Sequence, residues 1–450
     1  MKLYKQVKFW AFSTMVIAVG YLASCTKGNQ VLDLPTPTPT PTTNSSKDLV
    51  SVKVTTAPTI DGTIDAIWDQ ATKLNIKPTV PDPGNNLFTG YIGDAYPVTL
   101  RSVYDDTYVY FLAEYADNTK STNVQPWYFN SKTKLWAQEP NSRQFDANGA
   151  LTRVGFAEDK IAMLFNIDNS TSKFASQTCY SSCHVFTPYM DYSTTTPTYK
   201  SNASSGNHYT NGVNEKIDMW WGHLSRDVAF KQMDDNYQDW AGGPAISNLT
   251  GGSSNGRHVD DIVVNGASTT WPYRPTYTTV AAQGATNNRQ TLKLDGTGAS
   301  VTVPWFIIPG VSNYDFIKAS DTAVGGLAQK VTAVSSTGVL TYGNGLLLDP
   351  NFGTDFQRGT DTIYGGIGAK CIPSFIAAPL IGGRADIICD AVYTGTGWVV
   401  EYKRKLKTGD TLKQDVDFTN LPDSPFGFAV WDASNYQHAI QPGLVLKFKK

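Results

Sequence analysis

A chain of 450 residues with 37 basic and 39 acidic side chains carries a formal net charge of -2, and it lacks the concentrated basic face that nucleic-acid binding requires. Its 41% hydrophobic and 12% aromatic content excludes a disordered polymer and suits one large extracytoplasmic β domain with long loops. The N-terminus reads "MKLYKQVKFWAFSTMVIAVGYLASC": lysines, a short apolar run, then small residues before a cysteine, the layout of a secretory signal. Leu22, Ala23, Ser24 and Cys25 match a bacterial lipobox, so residues 1–24 are expected to be a lipoprotein signal peptide and Cys25 the lipidated first residue of the mature chain; an uncleaved anchor helix is the alternative. Residues 25–47, with the run "PTPTPTPTT", form an expected Pro/Thr tether holding a domain at 48–450 off a bacterial membrane, in the periplasm or at the outer-membrane surface.

Within that domain, "LVSVKVT", "YPVTLRSVYDDTYVYFLAEYAD", "KIAMLFNID", "GWVVEYKRKL" and "FGFAVWD" place β-branched or aromatic residues at roughly every second position, which predicts strands. Val98 to Tyr104 and Tyr108 to Ala113 read as a hairpin whose "DDT" turn uses Asp side chains on nearby amides. "IDAIWDQATKL" predicts one short helix with Ile64, Ile67, Trp68 and Ala71 on one side. From about 234 to 362 the chain is rich in Gly, Ser, Asn and Thr, and is expected to be a long insertion or decorated loop region. The expected architecture is an all-β antiparallel β-sandwich of immunoglobulin-like or jelly-roll type.

The stretch "SQTCYSSCHVF" concentrates thiol and imidazole chemistry in a chain with only five cysteines and five histidines. Cys179 and Cys183 followed by His184 are one residue longer in spacing than the C-x-x-C-H haem-attachment signature. Covalent haem and a local disulfide stand level on this spacing, and zinc comes third because no second ligand pair lies nearby. Cys371 and Cys389 flank a strand-like stretch and are expected to pair in an oxidising compartment. His208 and His258 lie in polar, loop-like sequence and read as solvated. His223, beside Trp220 and Trp221, reads as a core or pocket histidine, and Met163 on an alternating strand reads as core.

Three stretches, "APTIDGTIDAIWDQA", "VTLRSVYDDTYVYFLAEYADNT" and the closing run from "WVVEYKRKL" to "FGFAVWDASNYQHAI", together resemble the ethylbenzene dehydrogenase-related haem-binding domain, a family of periplasmic cytochromes related to the haem subunit of dimethylsulfide-type molybdoenzymes. The resemblance implies a DOMON-like sandwich that clamps one haem, covalent c-type or non-covalent b-type, between strand ends and loops. His438 then stands where those subunits carry a lysine ligand, and His184 would supply the opposite axial position. Trp220 and Trp221 match an aromatic pair of the family, with His223 where a lysine is usual. Arg384 and Arg404 are candidates for the propionates, with solvated surface as the default for each.

Two nitrogen ligands would close the iron to oxygen and suit electron transfer. The expected protein is therefore a membrane-anchored electron carrier or the haem subunit of a redox assembly, partnered by a molybdoenzyme or another cytochrome, with no catalysis of its own. The chain contains no G-x-S-x-G, no H-E-x-x-H and no phosphate loop, which leaves hydrolase, zinc-protease and nucleotide readings without support. The competing expectation is a carbohydrate-binding module of family 9 type, since the "IDGTIDAIWDQA" opening is similar to those sandwiches and tryptophans stack on sugars. A passive surface lipoprotein is the third.

Overall fold

Strand β1 (Asp48–Lys53) closes a ring, because it pairs in parallel on both sides. One side carries β10 (Ala439–Lys449), with Asp48 opposite Val445, and the other carries β2 (Val98–Tyr104), with Ser51 opposite Ser102. The remaining members are β3 (Tyr108–Ala116), β4 (Lys160–Asn166), β5 (Ile217–His223), β6 (Gln232–Gln238), β7 (Ile387–Tyr393), β8 (Gly397–Lys405) and β9 (Ser424–Trp431). They run in the order β1-β10-β9-β4-β5-β6-β7-β8-β3-β2 and back to β1. The all-β expectation holds, while the pairing describes a closed ten-strand barrel; closure removes the free edges that two stacked sheets would leave. This computed structural model describes residues 47–82, 88–182, 189–191, 198–200, 208, 210, 212, 214–239, 257–260, 283–311, 314–352, 356–358 and 370–450. The signal peptide, Cys25, most of the tether, Cys183 and His184 lie outside these residues.

Alternation along the strands fills the barrel. Ile161, Met163 and Phe165 of β4, Trp220 of β5, Met233 of β6, Val400 and Tyr402 of β8, and Phe426, Phe428 and Val430 of β9 belong to one buried cluster. Met163 is core, as expected, and accepts the Tyr402 hydroxyl at Sδ, 2.9 Å away. Each such aromatic or aliphatic side chain removed from water contributes on the order of 1.5–3 kcal/mol.

The outer face of β2, β3 and β8 is covered by the expected short helix, a 3-10 turn at Ala66–Gln70 that buries Trp68 against Val103, Tyr110, Leu112 and Val399. The preceding "IDGT" turn explains why this stretch is so specific in sequence. Glu401 of β8, fully buried, accepts the Trp68 indole N–H at 2.7 Å and the Gly62 and Asp61 amides at 2.8 and 3.1 Å. Gly62 has φ +78°, and a Cβ there would meet Val392 at 2.6 Å, so both conformation and space demand glycine. The hairpin turn also forms as read, with Asp105 Oδ1 accepting the Thr107 and Tyr108 amides at 2.7 Å.

Much of the expected insertion is ordered into strands of its own. Gln290–Lys293 pairs Ser300–Val303, and Gln329–Val334 pairs Phe306–Ile307 and Leu340–Tyr342. Val303, Ile307, Val331, Val334 and Leu340 share a second apolar cluster with Trp127, Phe129 and Trp136 from the hairpin Trp127–Asn130 and Leu135–Gln138. Glycine-rich composition there marks tight turns between short strands rather than loop alone.

Candidate functional site

The outer face of β4, β5 and β9 is the part of the barrel wall that concerns function. Strand period places Ala162 and Leu164, Met219 and Trp221, and Gly427, Ala429 and Trp431 on this face, opposite the core set. Alanine and glycine leave a shallow floor beside the two indoles. Together with Cys179, Ser182, His208, His438, Ile440 and Gln441 these residues line a small, largely apolar cleft of about 60 Å³. Its far wall comes from the short helical turn Thr178–Ser181; a Cβ on Gly427 would strike Thr178 at 2.4 Å, so glycine lets that turn approach the strand. Thr178 Oγ1 also accepts the Gly443 amide at 2.8 Å, fixing the turn to β10.

His438 stands at one end of the cleft. Its ring stacks on Trp431 with centroids 4.5 Å apart and planes at 20°, and Phe88 meets it edge-on at 6.0 Å. Nδ1 lies 2.7 Å from the Tyr436 carbonyl oxygen, which can only accept, so Nδ1 carries the proton and Nε2 keeps the lone pair. Burial pushes the imidazole down to about pKa 4, so it is neutral at pH 7. The loop from β9 to His438 is pinned by its backbone. Lys160 Nζ donates to the Ser434 carbonyl at 2.7 Å, and the Ala433 amide donates to Asp159 at 3.1 Å.

The rings continue past the cleft. Trp431 stacks on Trp221 at 5.4 Å and 22°, and Trp221 on His223 at 5.5 Å and 17°. His223 lies in a second, polar cleft with Arg226, Asp227, Asn236, Arg257 and Arg384. Its Nδ1 is 2.5 Å from Asp227 Oδ2, and burial followed by the Arg226 charge holds it well below the ordinary imidazole range. The pocket or core reading of His223 fits this position, separate from the lining of the first cleft.

Several expected site residues are placed elsewhere. Trp220 faces the barrel interior, packed on Phe111, Phe165, Tyr402 and Phe418 and under the Arg404 guanidinium. Adjacent tryptophans on a strand point to opposite faces, so only Trp221 reaches the cleft. Arg404 is not a surface arginine but is fully buried, donating to Asp218 at 2.6 Å, and Arg384 is held bidentately by Asp234; neither lines the cleft. Cys371 and Cys389 do not form the expected disulfide. Cys389 is a free thiol inside the barrel core, while Cys371 lies beside Ile372 of the second apolar cluster.

Of the two histidines read as solvated, one is half-buried and the other buried. His208 lines the cleft, and His258 is buried against Tyr237 with Nε2 2.9 Å from Asp239. Nothing in their polar local sequence signals this. Trp431 and Met219 were legible in principle, since each stands on the outward parity of its strand. Cys179 lines the same cleft.

The sequence pattern of the ethylbenzene dehydrogenase family matches residues 65–319 and 334–442, so most of the segment expected to be an insertion falls inside the match. No curated relative matches the chain. Among solved structures, a family 9 carbohydrate-binding module from Caldicellulosiruptor kristjanssonii in complex with glucose aligns at TM-score 0.26 and 9% identity, covering 89% of this chain and 95% of that one. A family 9 module of the same organism in complex with cellotriose aligns at the same score and identity over 89% and 93%. At such scores the superposition bears on neither fold nor ligand.

Proposed function

The chain belongs to the ethylbenzene dehydrogenase family, and from that premise we propose that it is a haem-binding electron-transfer protein whose cofactor sits at the cleft lined by Trp221, Trp431 and His438. The observation that carries this reading is His438 itself. A neutral imidazole with its proton held on Nδ1 by a backbone carbonyl presents Nε2 as a ligand atom in an apolar, aromatic-walled cleft. Ala162, Gly427 and Ala429 keep bulky side chains off the floor on which a planar macrocycle would rest.

In this reading His438 and His184 would hold the haem iron, with His208 and Met219 of the same cleft able to replace His184. Trp221 and Trp431 exclude water from the ring faces, and the Lys160 and Asp159 contacts hold the ligand loop in place. A haem bound there supplies reversible one-electron storage. Cys179 and Cys183 either attach the cofactor covalently or close a local disulfide. We further propose that the protein is anchored outside the cytoplasm through lipid on Cys25, and that its redox partner is a molybdoenzyme or another cytochrome.

The test is an absorbance spectrum of the full chain made in a host with haem maturation. A Soret band that shifts on reduction, and a reduced spectrum altered by His438→Ala, are the expected results. Haem staining after denaturing electrophoresis separates covalent from non-covalent attachment. Colourless protein that binds cello-oligosaccharides would sink the proposal in favour of a sugar-binding module.

A further inference from the structure

The end of the barrel that carries the His438 loop also gathers three acidic side chains from distant parts of the chain. Asp117 follows β3, Asp159 precedes β4 and Asp432 follows β9, and one oxygen from each lies within 4.8 Å of the others. Among the described residues no lysine or arginine forms an ion pair with any of the three, although the Arg143 charge reaches Asp432 from a distance. Their existing partners are neutral donors. Asp159 Oδ2 accepts the Ser121 amide at 2.8 Å and the Trp398 indole N–H at 3.0 Å, Asp432 Oδ2 accepts the Tyr96 hydroxyl at 3.1 Å, and Asp117 Oδ1 accepts the Thr119 amide at 2.9 Å.

A fourth oxygen makes this more than an acidic cluster. The Tyr115 side chain is 3% exposed, its hydroxyl is buried without a hydrogen-bond partner, and it lies within the fields of all three carboxylates. Asp117 Oδ2 is likewise buried and unpartnered. A buried hydroxyl next to carboxylates would ordinarily donate to one of them, since an unmade bond in a dry site is costly. Its oxygen is instead left with its lone pairs available, as is the second oxygen of Asp117. Burial, and the neighbouring carboxylates after it, push Asp117 up to about 6 and raise Asp159, which is how such a group responds when no cation is present.

We propose that Asp117, Asp159, Asp432 and the Tyr115 hydroxyl bind a hard divalent cation, Ca²⁺ in preference to Mg²⁺ or Zn²⁺. Every donor is oxygen, without sulfur or imidazole, which suits an alkaline-earth ion. Ligands at roughly 2.3–2.6 Å from Ca²⁺ stand up to about 5 Å apart across the ion, and its irregular coordination tolerates donors from separate strand ends, whereas Mg²⁺ demands near-ideal octahedral geometry at about 2.0–2.1 Å. The ion would tie β3, β4 and β9 at one end of the barrel. The site stands on its own geometry and does not depend on haem.

The experiment uses the EDTA-treated full chain and Tb³⁺, whose emission Trp398 and Tyr115 can sensitise from within or next to the site. Expected are Tb³⁺ luminescence on aromatic excitation, displacement by Ca²⁺ at concentrations at least tenfold below those of Mg²⁺, and a rise in melting temperature of about 3 °C at saturating Ca²⁺. Asp117→Asn and Asp432→Asn should each weaken Tb³⁺ binding at least tenfold with an unchanged circular dichroism spectrum, and Tyr115→Phe severalfold. Two variants guard against one failing to fold. The proposal is overturned if the wild type binds neither ion below millimolar concentration. Binding untouched in a folded Asp117→Asn or Asp432→Asn protein also overturns it, and moves the ion to the other acidic group, Asp218, Asp235 and Asp415.

Discussion

Replacing His438 by phenylalanine isolates the ionisation on which the ligand argument rests. Phenylalanine keeps a flat ring against Trp431 and removes the titrating nitrogens. In the wild type, burial lowers the imidazole from 6.5 to about 4. Between those values the unfolded chain takes up a proton that the folded chain refuses, so stability falls as the pH drops below 6.5 and stops falling below 4. At pH 5 the gap spans roughly 1.5 units at about 1.36 kcal/mol each, a loss of about 2 kcal/mol, whereas at pH 7.5 the loss is near zero. Urea unfolding of pigment-free protein at those two pH values measures it. Wild type should lose about 2 kcal/mol more than His438→Phe over the interval. Asp117 and Asp227, each pushed up to about 6, and the depressed His223 titrate in both proteins and cancel in the difference. Equal losses would refute a neutral, desolvated ring and with it the reason for choosing His438 as a ligand.

The adjacent tryptophans should part company on mutation. Trp220→Ala opens a hole in the barrel core and should cost about 3–5 kcal/mol in urea unfolding, while Trp221→Ala should cost less and weaken pigment binding in a haem titration; the reverse pattern would mean that the assignment of faces is wrong. Arg404→Met strips the cation from Asp218, Asp235 and Asp415 and should destabilise by about 3–5 kcal/mol at pH 8. Asp218 is pushed up to about 7, chiefly by burial, so its raised pKa favours the folded state below that value and the benefit is lost as pH rises through it. The Arg404→Met penalty should accordingly shrink at pH 5, and a penalty independent of pH would show that the carboxylates do not feel the guanidinium.

How much could be read without coordinates depended on whether the relevant contacts were local. The "DDT" turn and the core position of Met163 follow from neighbours two residues away, and both are found. The "IDGT" opening was recognisable as a motif, but its cause lies 340 residues away in Glu401, whose carboxylate collects the turn. Barrel closure was out of reach for the same reason, since β1 becomes a wall only by pairing with strands near residues 102 and 446. Trp220 and Trp221 were paired by type, though period two alone separates them once the phase of β5 is set by Met219 and His223. The burial of His258 had no local signal. Its surroundings are polar in sequence, and its enclosure comes from the pairing of Arg257–Val259 with β6, which sets His258 opposite Tyr237.

The same alternation that fills the barrel also prepares the cleft, and this bears on how the site would work. Its floor is the back of a core sheet, so Ala162 and Ala429 cannot move without disturbing Ile161, Met163, Phe428 and Val430 on the other side of the same strands. His438 lies only seven residues beyond Trp431, on a loop whose backbone is tied to Asp159 and Lys160 at the start of β4. Trp431, the His438 imidazole and the floor are therefore all tied to the same strands. A planar cofactor entering such a site meets little reorganisation in the floor and ligand loop, and small reorganisation is also what rapid electron exchange requires. The tie from Ala433 to Asp159 makes the three-carboxylate group part of the same support, so a cation bound there would stiffen the loop that orients the imidazole without touching the cofactor itself.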